Sequence, residues 1–171
     1  MNIINHEYFM KEALNLAKTA LEEGEFPVGC VIVYKDRIIA TGKREGTAKS
    51  ISNEVDHAEM IALRNLEEME SFNEIYKQET TIYCTMEPCL MCFGAIMLSG
   101  IGKIVYAYED VMGGGTGCDI KNLAPLYKNR RIIISSGILR QESLDIFKNF
   151  FYNPSNMYWK GSLLASYTLS Q

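Results

Sequence analysis

The stretch TIYCTMEPCLMCFGAIMLSGIGKIVYAY, residues 81–108, decides the fold. Thr81-Ile-Tyr-Cys-Thr is rich in β-branched and aromatic residues, the composition of a strand. Glu87-Pro88 ends it, and Pro88 is expected at the first helical position, where a missing N–H costs nothing. Residues 89–99 are apolar nearly all round, which predicts a buried helix closed by Gly100. Residues 103–108 read as a second apolar strand. Strand, helix and strand in this order imply a parallel pair joined by a helical crossover.

The flanks extend the pattern. Phe9, Ala13, Leu16, Ala17, Ala20 and Leu21 form a helical stripe over residues 7–23, and Gly24 is placed to end it. Residues 28–34 and 37–41 read as a hairpin turning at Lys35-Asp36, and residues 47–55 as a loop. Ala58, Ile61, Ala62, Leu66 and Met69 share one face of a second helix. Beyond the central unit come the turn Gly113-Gly-Gly-Thr-Gly117, a short helix near 122–127, a strand at 131–135 and a helix at 141–151. The whole predicts an α/β protein: a three-layer α/β/α domain on a five-stranded mixed sheet, its first two strands antiparallel and the later ones parallel. The domain is expected over residues 1–151. Residues 152–171 carry Tyr152, Tyr158, Trp159 and Tyr167 with little periodicity, and are expected to form a C-terminal tail packed on the domain or on a partner subunit.

Composition narrows the function. The chain has 171 residues, 47% of them hydrophobic and 22% charged, which excludes a disordered chain or a disulfide-dense mini-protein. No apolar run is long enough to span a membrane. Met1-Asn-Ile-Ile-Asn-His lacks the basic flank and apolar core of a signal peptide, so the cytoplasm is the expected compartment. A net charge of −4 favours a small substrate over nucleic-acid backbone, although Lys128-Asn-Arg-Arg131 could form a local basic patch. Five cysteines, an odd number, read as thiols or metal ligands.

The chemistry concentrates in His57-Ala58-Glu59, Pro88-Cys89 and Cys92. Cys89 and Cys92, three apart at a helix start, place two sulfurs on one face, where the helix dipole favours thiolate. With His57 they make three ligands of the kind zinc prefers and leave a fourth position for water, whose pKa falls from about 15.7 to about 7. Glu59 reaches the same ion's surroundings only if His57 sits at the unwound edge of its helix, and Asp56 is the expected N-cap there. H-x-E followed by P-C-x-x-C is the signature of zinc nucleobase deaminases, with the Glu moving protons and the other three residues holding zinc. Taken singly, the two cysteines could be a redox pair and His57 a helix cap. Cys30, Cys84 and Cys118 are expected as small core residues and His6 as a surface residue.

These residues, together with Glu25-Phe-Pro-Val-Gly-Cys-Val-Ile-Val33, Thr85-Met-Glu-Pro-Cys-Leu-Met-Cys92 and Ile101-Gly-Lys-Ile-Val-Tyr-Ala107, resemble the cytidine deaminase-like superfamily. The branch is the one holding tRNA wobble-adenosine, guanine and deoxycytidylate deaminases. The resemblance covers roughly residues 7–151. It implies one zinc per subunit on His57, Cys89 and Cys92, Glu59 as proton shuttle, Phe26 and Val28 lining the base pocket, and a homodimer. Members commonly carry an Asn after the second strand; here Gly42-Lys43-Arg44 stands instead, making Lys43 and Arg44 candidate substrate contacts. Glu87, Pro88 and Tyr158 complete the candidate substrate-binding set. The function expected first is hydrolytic deamination of a nucleobase, nucleoside or related small heterocycle. The alternatives are a tRNA-specific adenosine deaminase and a catalytically silent zinc-binding subunit.

Overall fold

The computed structural model describes residues 5–48, 53–69 and 76–171, so residues 49–52 of the loop read at 47–55 lie outside it. The chain runs α1 (His6–Glu22), β1 (Gly29–Tyr34), β2 (Arg37–Lys43), α2 (Ala58–Glu67), β3 (Thr81–Met86), α3 (Leu90–Ser99) and β4 (Lys103–Tyr108). It continues through α4 (Pro125–Lys128), β5 (Ile133–Ser135), α5 (Arg140–Tyr152) and α6 (Leu163–Ser170). The strands lie in the order β2-β1-β3-β4-β5. β1 is antiparallel to both its neighbours, while β3, β4 and β5 run parallel. This is the five-stranded mixed sheet that the order of elements predicts.

Alternation along the central strands divides the core into two faces. Cys30, Ile32, Ile82, Cys84 and Ile104 pack with Ala58, Ala62 and Leu66 of α2 and with Phe93 and Ile96 of α3. Val31, Val33, Tyr83, Val105 and Ala107 pack with Phe9, Met10, Ala13 and Ala17 of α1. Helix α5 serves both, giving Ile146 to the α1 side and Leu144, Phe147 and Phe150 to the other. The sheet is thus covered on each face by helices. Gly42 fixes the seat of α2: a Cβ there would lie 2.1 Å from the Ala58 carbonyl oxygen and 2.6 Å from the Ala62 nitrogen.

Several local expectations shift. Helix α3 is not buried all round; Cys92, Phe93, Ile96 and Met97 face the core, but Leu90 and Leu98 are 62% and 51% exposed. Pro88 stands before the N-cap, Cys89, instead of inside the first turn. Asp56 does not cap α2. His57 occupies the cap position, while Asp56 accepts a hydrogen bond from Arg64 Nη1 at 2.6 Å. The tail carries a helix, α6, capped by the Ser162 side chain on the Ala165 N–H, with Leu164, Ala165 and Thr168 buried. Cys118 is exposed. His6 is tied in, its Nδ1 2.8 Å from Tyr83 Oη and its Nε2 3.0 Å from Lys103 Nζ.

Candidate active site

Two helix starts on one face of the sheet build the site. His57 precedes α2 with extended backbone, φ −68° and ψ 153°. At this unwound edge its ring turns to the same side as Glu59, the second residue of the helix. Cys89 is the corresponding extended residue before α3, and Cys92 lies one turn on. His57 Nδ1 is 3.6 Å from Cys89 Sγ and 3.5 Å from Cys92 Sγ. Among the described residues these three form the one group of His, Cys, Asp or Glu whose ligand atoms converge, all within 4.8 Å of one another.

The electrostatics follow from this crowding. Cys89 is pulled down to about 4, first by the hydrogen bond from Cys92 and then, against burial, by His57. Cys92 moves the opposite way, raised by holding the shared proton and by burial. The pair therefore carries one thiolate between two sulfurs, and coordination of a metal has to release the second proton. Burial pushes the Glu59 carboxyl above the usual carboxylate range, a rise that the charge of His57 partly opposes. Glu59 is 3% exposed yet reaches the cavity.

That cavity, about 100 Å³, opens beside His57 and Cys89. Its wall includes Phe26, Val28, Arg44, His57, Glu59, Glu87, Cys89 and Tyr158, and excludes Lys43 and Pro88. Lys43 turns away to pair with Glu23 and, at 3.6 Å, with Glu45. The Pro88 carbonyl accepts a hydrogen bond from the Gly115 N–H at 2.9 Å. A Cβ at Gly115 would lie 2.7 Å from Leu90 Cα, so the glycine lets residues 110–116 lie directly on the start of α3. Glu87 holds that segment by accepting from the N–H groups of Asp110 and Thr116 at 3.2 and 3.3 Å. The glycine-rich turn is thus pinned. It adds Asp110, Met112 and Gly113 to the wall, and the tail adds Trp159 and Leu164. The run of glycines marked the first group and the aromatic content of the tail marked Trp159; nothing in the local sequence marked Leu164.

Comparison with known proteins places this geometry. A model of the cytidine and deoxycytidylate deaminase zinc-binding region matches residues 3–108, a span containing all three ligands and Glu59. The chain belongs to this family. A tRNA-specific adenosine deaminase of Streptococcus pyogenes (serotype M18, strain MGAS8232) is 35% identical over 145 residues, 84% of this chain and 88% of that protein. One from Bacillus subtilis (strain 168) is 36% identical over 147 residues, 85% of this chain and 88% of that protein. A solved structure from work on A-to-I editing by tRNA:A34 deaminases at the wobble position superposes with a TM-score of 0.66 at 28% identity, covering 81% of this chain and 98% of that one. As a member, this deaminase is a hydrolase of C–N bonds that uses zinc. Its donor set fits the metal. Tetrahedral zinc, with bonds of about 2.3 Å to sulfur and about 2.0 Å to nitrogen, separates the two donor types by roughly 3.5 Å, and the observed separations are 3.5 and 3.6 Å.

Proposed function

We propose that this deaminase acts on adenosine in tRNA, with Glu59 as its proton carrier and His57, Cys89 and Cys92 as its zinc ligands. The observation that carries the chemistry is Glu59, a buried carboxyl with a raised pKa that faces the cavity beside three converging zinc-type donors. A carboxyl placed beside the reacting atoms can both accept and return a proton. Glu59 takes one from water, delivers it to the ring nitrogen next to the reacting carbon, and passes a proton to the departing amine. Zinc on the three donors supplies a Lewis acid that makes hydroxide available near neutral pH. Similarity to two tRNA-specific adenosine deaminases over 84–85% of the chain supports the substrate.

A second reading, a free nucleobase or small heterocycle, is favoured by the tail. Tyr158, Trp159 and Leu164 wall the cavity from a segment beyond the match to residues 3–108, and the net charge of −4 offers little to an RNA backbone. The deciding measurement is ammonia release from tRNA, bases, nucleosides and nucleotides. Turnover of tRNA alone supports the first reading, and turnover confined to free bases replaces it with the second. Glu59→Gln is expected to lose at least about 10²-fold in kcat with zinc content unchanged; undiminished turnover sinks the shuttle. The exposed Leu90, Met91 and Leu98 of α3 support a homodimer, expected by light scattering as twice the chain mass, with a monomer counting against it. No described helix is long and apolar enough to cross a membrane, and a tRNA substrate is consistent with the cytoplasm.

A further inference from the structure

Arg44 is a guanidinium almost wholly withdrawn from solvent, 2% exposed, in the wall of the cavity. Its backbone N–H donates to the Val28 carbonyl at 2.8 Å, which anchors the residue just beyond β2. Nη1 donates to the carbonyls of Glu45 and Asp56 at 2.9 and 2.8 Å, so both of its hydrogens are used. Asp56 immediately precedes His57, and this fork therefore sits at a fixed place beside a zinc ligand. Nη2 is held differently. Among the described residues it makes only long contacts, 3.5 Å to Tyr158 Oη and 3.6 Å to Glu54 Oε2, while the Tyr158 hydroxyl donates to Glu54 at 2.7 Å. The carboxyl side chains in the wall, Glu59, Glu87 and Asp110, are acceptors, and Tyr158 has given its one hydrogen to Glu54, so the guanidinium of Arg44 is the charged donor there.

We propose that Arg44, through Nη2 and supported by Tyr158, reads a hydrogen-bond acceptor on the ring of the substrate and so determines which amidines the deaminase accepts. The inference deepens the deaminase reading and rests on it for the pose: the amine-bearing carbon faces Glu59 while an acceptor on another edge meets Arg44. A buried guanidinium with slack contacts gains most from a charge-assisted hydrogen bond, and a ring that leaves it without an acceptor forfeits that bond in a site shielded from water. The acceptor has two chemical sources, an unprotonated ring nitrogen, as in adenine, or an oxo group, as in cytosine and guanine.

The test measures binding as well as turnover. The chain has a single tryptophan, and Trp159 lines the cavity, so its fluorescence reports ligand entry in the zinc-loaded full chain. The ring-nitrogen arm uses an anticodon stem-loop RNA with adenosine at the wobble position against matched RNAs carrying 3-deaza- or 7-deazaadenosine there. The oxo arm compares cytosine with 4-aminopyrimidine and guanine with 2-aminopurine. In wild type, removing the acceptor is expected to weaken binding at least tenfold in one arm, which identifies the source. In Arg44→Met the parent ligand is expected to lose at least tenfold, in Kd and in KM more than kcat, and removal of the acceptor to cost nothing further. Lys43→Ala serves as the control and is expected to match wild type. The proposal is overturned if Arg44→Met binds the parent ligand as tightly as wild type, or if the penalty for the missing acceptor is the same in both proteins. Should Arg44→Met fail to fold, judged by thermal midpoint and zinc content, Arg44→Lys carries the test, because it keeps the charge and loses the fork. Binding that depends on Arg44 without ammonia release would refute the deaminase reading and leave the recognition role standing.

Discussion

Glu109 shows how much one carboxylate does at the end of β4. It accepts from Arg140 Nε at 2.8 Å and from Arg140 Nη2, and Tyr167 of α6 donates to it at 2.7 Å. The Arg140 contact above all, then Tyr167, lowers its pKa to about 2. A folded-state value below the unfolded one means that the contribution is complete above the ordinary carboxylate range and is lost as pH falls through about 2. Glu109→Gln is thus expected to lower Tm at pH 7 by about 2–4 °C, from a contribution on the order of 1 kcal/mol. The difference should close between pH 5 and pH 2 as the wild type protonates. Parallel Tm profiles for the two proteins across that range would show that the carboxylate is not coupled to folding. The same scale shows why neighbouring residues escape sequence reasoning. Lys43 and Arg44 are adjacent cations in the chain, yet the end of β2 sends one to Glu23 and the other into the cavity wall. Only the pairing register separates them.

Helix α2 carries both His57 and Glu59 at its start, so its seat on β2 sets the geometry of the site. That seat depends on Gly42, whose absent side chain leaves room for the Ala58 carbonyl. Gly42→Ala would bring a Cβ to 2.1 Å from that oxygen, which only movement of backbone can relieve. The variant is expected to lose about 1–3 kcal/mol in denaturant unfolding and to lose turnover as well, because Glu59 lies one residue from the displaced carbonyl. Wild-type stability together with wild-type turnover would mean that the helix seat is not fixed there. The elements themselves were largely legible: residues 81–108 carry a period change from strand to helix to strand, and the hairpin turn at Lys35-Asp36 adopts positive φ at both positions. Helix α6 was not legible. Its solvent side carries Leu163 and Leu169, which are as apolar as the buried Leu164 and Ala165, so no polar stripe reveals the helical period. Helix α3 misleads in the same way, because its exposed Leu90 and Leu98 read as core. The convergence of His57, Cys89 and Cys92, with Glu59 at the cavity beside them, was legible because metal chemistry constrains residue type and spacing. Asp110 and Leu164 were not, because the fold alone brings them to the cavity.

At the scale of the whole molecule the zinc donors act as a clasp. His57 introduces α2, and Cys89 and Cys92 stand at the start of α3, so one ion held by the three would join two helix starts separated by more than thirty residues of chain. The cavity wall then draws on the residues before β1, on the residue after β2, on the end of β3, on the segment after β4 and on the tail, all arranged around that junction. An ion that binds the folded chain and not the unfolded one adds stability by mass action, about 4 kcal/mol when its free concentration is a thousand times Kd. For a chain of this size, with about 2–4 °C per kcal/mol, chelation is expected to lower Tm by roughly 10 °C. Readdition of zinc should restore both Tm and activity. The loss should shrink at low pH, where binding is already weak, because coordination requires the proton that Cys92 keeps to leave and acid opposes that release. Cys92→Ala, which removes one donor and the shared proton, should abolish the response of Tm to chelator and leave β1 through β4 folded, as read by circular dichroism. A chelator-treated protein that keeps both its Tm and its activity would show that the three converging side chains hold no ion that matters to the fold or to the reaction.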